Sequence, residues 1–168
     1  MGKTSAAKIL PIRKLLTLRE LWRWEGRTVV FTNGVYDILH AGHVKLLEKA
    51  KAQGDLLVVG VNSDSSVRLL EKAPGRPVNT WRDRAEVIAA LGCVDAVVGF
   101  SESTPERLMS RLRPDIQVKG GDYKPKDLPE GKYAGRVVIV PLKKGCSTSG
   151  LIARLQDKRM LARPKRSR

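Results

Sequence analysis

The chain has 168 residues and two cysteines, the size of one domain able to bury a core without covalent staples. Its formal net charge of +15 points to anionic partners such as nucleotide, phosphate or nucleic acid. Cys93 and Cys146 match no metal spacing and read as reduced thiols, no run approaches the roughly 18 apolar residues of a membrane span, and Arg13, Lys14, Arg19 and Glu20 interrupt any leader-like stretch, so the expected location is cytoplasmic.

In chain order, residues 1–26 form a lead-in. Leu15, Leu18, Leu21 and Trp22 recur at helical spacing, which predicts a short helix over 18–24 that Gly26 ends. From residue 27 the pattern becomes strand then helix, repeatedly. Residues 28–32 are apolar and β-branched and predict a strand. A helix over 41–52 follows, with Val44, Leu47 and Ala50 on one face. The continuous apolar run 56–61 predicts a strand buried on both faces. Residues 63–70 predict a short helix, and 72–78, with two prolines and a glycine, a loop. The next helix covers 82–91 with Val87, Ile88 and Leu91 inward, and 96–98 is a third strand. Thr104-Pro105-Glu106 predicts a helix start with Thr104 as N-cap, and Pro114 ends that helix. Strands at 116–118 and 137–140 come next, and then a helix capped by Ser147 or Thr148 that runs to about 155. Residues 158–168 carry six basic residues and no acidic one, and predict a solvated, disordered tail, a weak electrostatic tether being the other reading. The domain proper is therefore expected over 27–157.

Alternating strands and helices predict an α/β fold, a Rossmann-like doubly wound parallel sheet in a single domain. Ligands of such sheets gather beyond the C-terminal strand ends, which directs attention to residues 32–43, 62–64, 119–122 and 142–148. His40 and His43 are the chain's two histidines. They stand three apart at a helix start, so both project from one face. A helix N-terminus favours phosphate, and Gly42 lets a phosphate approach the backbone. Two imidazoles there can donate hydrogen bonds to oxygens that gain charge during phosphoryl transfer. The competing readings are surface histidines or a metal pair. Thr32-Asn33-Gly34 leaves a strand in a turn whose amides can cradle phosphate, although Asn-Gly is also ordinary turn chemistry. Asp37 can anchor that loop or orient a metal. Gly145-Cys146-Ser147-Thr148 opens a second helix, where the hydroxyls either cap it or reach a phosphate.

The run Phe31-Thr32-Asn33-Gly34-Val35-Tyr36-Asp37-Ile38-Leu39-His40-Ala41-Gly42-His43 resembles the nucleotide-binding signature of cytidylyltransferase-like nucleotidyltransferases, with His-x-Gly-His as its hallmark. The likeness continues through residues 55–64, Gly75-Arg76-Pro77-Val78-Asn79, Asp83-Arg84, Arg113-Pro114-Asp115, Val118-Lys119-Gly120-Gly121-Asp122-Tyr123 and Gly145-Cys146-Ser147-Thr148. These elements, over roughly 8–155, are similar to the heptose 1-phosphate adenylyltransferase branch. The chain departs from it at Val35-Tyr36, where Cys-Phe is usual, at Ser149, and in the segment 128–135.

The resemblance implies transfer of AMP from ATP, with Mg²⁺, to D-glycero-β-D-manno-heptose 1-phosphate, giving ADP-heptose for lipopolysaccharide and releasing pyrophosphate. It makes His40 and His43 the catalytic pair; Lys45, one turn beyond His40, either reaches a phosphate or lies on a solvated helix face, and Lys119 ends a buried strand where ligands gather, so both join the catalytic set. Thr32, Asn33, Gly34, Asp37, Gly42, Asn62, Asp64, Gly121, Asp122, Ser147 and Thr148 would complete the nucleotide site. Asp37, Arg76 and Tyr123 would meet the sugar phosphate. No residue set stands out as metal ligands. A homodimer and a separate heptose kinase upstream are implied as well. The rivals are a cytidylyltransferase for another acceptor such as glycerol 3-phosphate, and a basic nucleic-acid-binding module. The latter lacks clustered aromatics for base stacking. A fragment related to class I aminoacyl-tRNA synthetases is disfavoured by length and by the lack of a Lys-Met-Ser-Lys-Ser run.

Overall fold

A computed structural model describes residues 4–70, 75–121, 123, 127–141 and 148–156. The elements in order are α1 (Ser5–Lys8), α2 (Ile12–Trp24), β1 (Val29–Gly34), α3 (Ala41–Lys51), β2 (Leu56–Asn62), α4 (Asp64–Leu69), α5 (Trp81–Ala90), β3 (Ala96–Phe100), α6 (Glu106–Leu112), β4 (Ile116–Gly120), a 3₁₀ turn (Pro129–Tyr133), β5 (Arg136–Val140) and α7 (Thr148–Gln156). Among the described residues the strands form one five-stranded sheet in the order β3-β2-β1-β4-β5, and every pairing is parallel. The expected doubly wound sheet is therefore present.

Its apolar runs explain the layers. Val29, Val30, Phe31 and Thr32 of β1 are all buried, as a strand covered on both faces requires. On one face Val30, Leu57, Val59 and Val118 pack against Leu47 and Ala50 of α3 and Ala85, Ile88 and Ala89 of α5. On the other, Val29, Phe31, Val58 and Val98 pack against Leu15 of α2 and Leu108, Met109 and Leu112 of α6. The chain winds from β1 outward to β3, then returns to place β4 on the opposite side of β1. That reversal between β1 and β4 opens a crevice at their C-terminal ends.

Several local expectations are corrected. The lead-in helix begins at Ile12 rather than near 18, and α1 precedes it. Val87 is 48% exposed, because the buried stripe of α5 is Arg84, Ala85, Ile88 and Ala89 and Val87 falls off it. Thr104 does not cap α6; Pro105 takes the N-cap position without a side-chain bond. The cap at 147, the loop residues 71–74 and the tail 157–168 lie outside the described residues.

Candidate active site

The site is built at the crevice. Asn33 and Gly34 end β1, and the chain then turns through Tyr36 at φ +51°, a left-handed value that a bulky residue rarely adopts. The turn tucks the Tyr36 ring inward, 5% exposed. A Cβ on Gly34 would meet that ring at 3.1 Å, so the glycine leaves room for it. Burial pushes the Tyr36 phenol's pKa up. The ring lies edge-on to His43 at 5.2 Å between centroids.

His40 and His43 stack, with centroids 3.8 Å apart and planes 17° from parallel. His40 is the N-cap of α3, and its Nδ1 accepts from the Gly42 N–H at 3.1 Å. A neutral ring that accepts at Nδ1 carries its proton on Nε2. Burial lowers the His40 pKa below its ordinary value, partly opposed by a backbone hydrogen bond. His40 is thus a neutral donor at pH 7. Since the Gly42 and His43 amides both bond back to His40, what the start of α3 offers a phosphate is an imidazole donor and a missing side chain at Gly42.

From β4, Lys119 reaches the same crevice. Its Nζ donates to Asn33 Oδ1 at 2.8 Å and lies 3.2 Å from Glu130 Oε1. Arg76 comes from the loop before α5, its Nε bonded to Asp37 Oδ2 at 3.0 Å. Asn33, Gly34, His40, Gly42 and His43 line one cleft of about 480 Å³ together with Asn62, Arg76, Lys119, Tyr123 and Thr148. A cleft of this size suits a nucleotide-sized ligand.

Other expected site residues hold the walls. The Asp37 carboxylate accepts from the Val78 and Asn79 amides and from Arg76. Burial raises its pKa, but those Asn79 and Val78 amides and the Arg76 guanidinium outweigh burial and hold it below the ordinary carboxylate value. Asp37 is therefore an anchor for the Arg76 loop, one of the two roles expected for it, and its side chain is spent there. Asp64 accepts from Arg84 Nη2 at 2.7 Å. Thr32 is fully buried in β1. The Gly121 amide bonds Val140 of β5. Lys45 is not at the cleft: its side chain is 64% exposed and pairs with Glu48 at 3.6 Å. Asp122 and Ser147 lie outside the described residues.

The cleft also takes in residues to which sequence reasoning gave no site role: Val35, Tyr36, Leu46, Leu70, Ser103, Gly120 and Ser149. Ser103 follows β3, so the strand-end rule extended to that strand would have reached it. Arg84 is a further case. It is 1% exposed and donates to the carbonyls of Val35, Asn62 and Asn79, tying three cleft segments together. Among the described residues no group of three or more His, Cys, Asp or Glu side chains can hold a metal ion, and Asp37 is already committed. The described side chains thus form no all-protein cage for Mg²⁺, and an ion carried on nucleotide phosphates needs only one or two carboxylates.

A parallel sheet whose reversal point carries paired imidazoles at a helix start, with a lysine across the crevice, defines a phosphate-handling nucleotide-binding domain. Residues 31–145 match the family described as Cytidylyltransferase-like, and the chain belongs to that family of nucleotidyltransferases. It is 51% identical over 157 residues to the bifunctional protein HldE of Syntrophotalea carbinolica, covering 90% of this chain and 32% of that protein. It is 47% identical over 154 residues to the bifunctional protein HldE of Pseudomonas paraeruginosa, covering 89% and 32%. The chain thus spans about a third of the length of these curated relatives. The solved lipopolysaccharide core biosynthesis protein from Thermoplasma volcanium is similar at a TM-score of 0.60 with 32% identity, over 72% of this chain and 100% of that one. No helix among the described residues is long and apolar enough to cross a membrane.

Proposed function

We propose that this chain transfers AMP from ATP to D-glycero-β-D-manno-heptose 1-phosphate, forming ADP-heptose for lipopolysaccharide core synthesis and releasing pyrophosphate. The observation that carries the reading is the stacked His40–His43 pair sharing one cleft with Lys119. The likeness over 90% of the chain to a protein named HldE supports the substrate assignment, as does the solved relative named for lipopolysaccharide core biosynthesis.

An acceptor phosphate oxygen attacks the α-phosphorus of ATP in line. The new P–O bond forms as the bond from the α-phosphorus to the bridging oxygen breaks, and the electron pair leaves with pyrophosphate. The acceptor is already an anion, so the transfer needs positioning and charge neutralisation rather than a protein nucleophile. The His40 Nε2–H donates to a phosphate oxygen, and His43, stacked on it, supports the same group. The Lys119 ammonium neutralises charge from β4. Arg76, held by Asp37, and Tyr123 form the sugar-phosphate side. Asn62 and Thr148 complete the nucleotide side. Mg²⁺ would arrive on the ATP phosphates and supply charge neutralisation there. The same reading implies a cytoplasmic homodimer whose acceptor comes from a sugar kinase.

Replacing His40 or His43 by alanine tests the assignment through pyrophosphate release. Losing one such donor lowers turnover by about 10²–10³-fold. His40→Asn is the control for folding, because its side-chain oxygen can still cap α3; it keeps the unfolding midpoint but not the activity. Near-normal turnover in the folded alanine variants would contradict the reading.

A further inference from the structure

Glu130 is a buried acid that the reaction above does not use. It sits in the 3₁₀ turn Pro129–Tyr133 and is 3% exposed. Gln117 and Lys119 alternate along β4 and so share one face of the sheet, and the turn lies over that face. Glu130 Oε1 is 3.2 Å from Lys119 Nζ and accepts from Gln117 Nε2 at 3.3 Å. A carboxylate so deeply buried is costly unless it is paired and hydrogen-bonded, and here both conditions are met. Lys119 is also largely sequestered, its side chain 15% exposed.

An ammonium group has three donors and no acceptor. Asn33 Oδ1, at 2.8 Å, takes one, and Glu130 Oε1 holds the ammonium in an ion pair at 3.2 Å. The ammonium so held also lines the cleft. A lysine on a flexible stem ordinarily pays rotamer entropy to hold one position. Held by one hydrogen bond and one buried ion pair, Lys119 meets an incoming phosphate with that cost already met. We propose that Glu130 is a positioning residue that acts through Lys119, holding its ammonium group toward the substrate phosphates. This rests on the reading that Lys119 binds phosphate.

A double-mutant cycle tests it, with Glu130→Gln, Lys119→Met and the double variant in the full chain. Turnover with ATP and heptose 1-phosphate is read as kcat and KM, and ATP affinity is read separately by calorimetry. Glu130→Gln lowers kcat/KM roughly tenfold in the Lys119 background, mainly through kcat, and changes it less than about twofold in the Lys119→Met background. Equal losses in both backgrounds would mean that Glu130 only supports the fold, and no loss in either would overturn the proposal outright. If Glu130→Gln fails to fold, Glu130→Asp, which keeps the charge, replaces it in the cycle and must show the same background dependence. If the unaltered chain does not turn over with this acceptor, the substrate reading has failed; the cycle is then read on ATP affinity, where the same coupling or its absence decides the role of Glu130.

Discussion

At the scale of single residues, His40 has two functions that pull in one direction. As the N-cap of α3 its Nδ1 accepts from Gly42, and this contact keeps the ring neutral with Nε2–H free to donate. Its pKa is lowered by burial, so between the folded and the ordinary value near 6.5 the unfolded chain binds more protons. Stability contributed by the neutral ring is therefore present above about pH 6.5 and is lost as pH falls through the folded pKa. Imidazole resonances followed by NMR should show His40 titrating below about 6.5, and the denaturation midpoint should fall on acidification. A His40 titration above that value would contradict the burial argument. The histidine pair was legible in the sequence because its spacing, glycine and helix start all converge. Arg84 was not, since the carbonyls it binds on Val35, Asn62 and Asn79 carry no side-chain signature. Lys45 takes the second of its two readings, the solvated helix face. Its position one turn past His40 says nothing about which way a long side chain lies, and it lies toward Glu48 in solvent.

At the scale of elements, the strands were readable from their apolar runs, and the strand-end rule led to most of the cleft. The lead-in was harder. Its leucines announced a helix, yet Leu21 is 47% exposed while Leu15 is fully buried. The helix also begins earlier than its apolar spacing suggested. What fastens it is Arg19, 3% exposed, which donates to the carbonyls of Leu112 and Arg113 and to Asp115. Those partners lie more than 90 residues away, by |i−j| of 93 to 96, so no local pattern could reveal them. Residues before 27 thus belong to the same core as α6 and the sheet. Leu15→Ala should cost about 2–5 kcal/mol of unfolding free energy, measured by urea denaturation. A change below about 0.5 kcal/mol, the range of an ordinary surface substitution, would show that α2 is an ornament of the fold.

At the scale of the whole molecule, the reversal of strand order is what makes the chemistry possible. It opens the crevice that brings Asn33 of β1 and Lys119 of β4 into contact at 2.8 Å, with the α3 histidines at its rim. The net charge of +15 adds a field that attracts anionic ligands to the molecule. Fold and reaction class were legible because motif, period and topology agree. The proposed acceptor rests on resemblance, since Arg76 and Tyr123 line the cleft without specifying a sugar phosphate.

The most direct test offers ATP, CTP, GTP and UTP separately, each with heptose 1-phosphate and Mg²⁺, and follows pyrophosphate release together with the mass of the product. Turnover with ATP that yields ADP-heptose is the predicted result. Turnover with CTP in place of ATP, or none with any nucleotide, would contradict the proposed function while leaving the family and the fold intact.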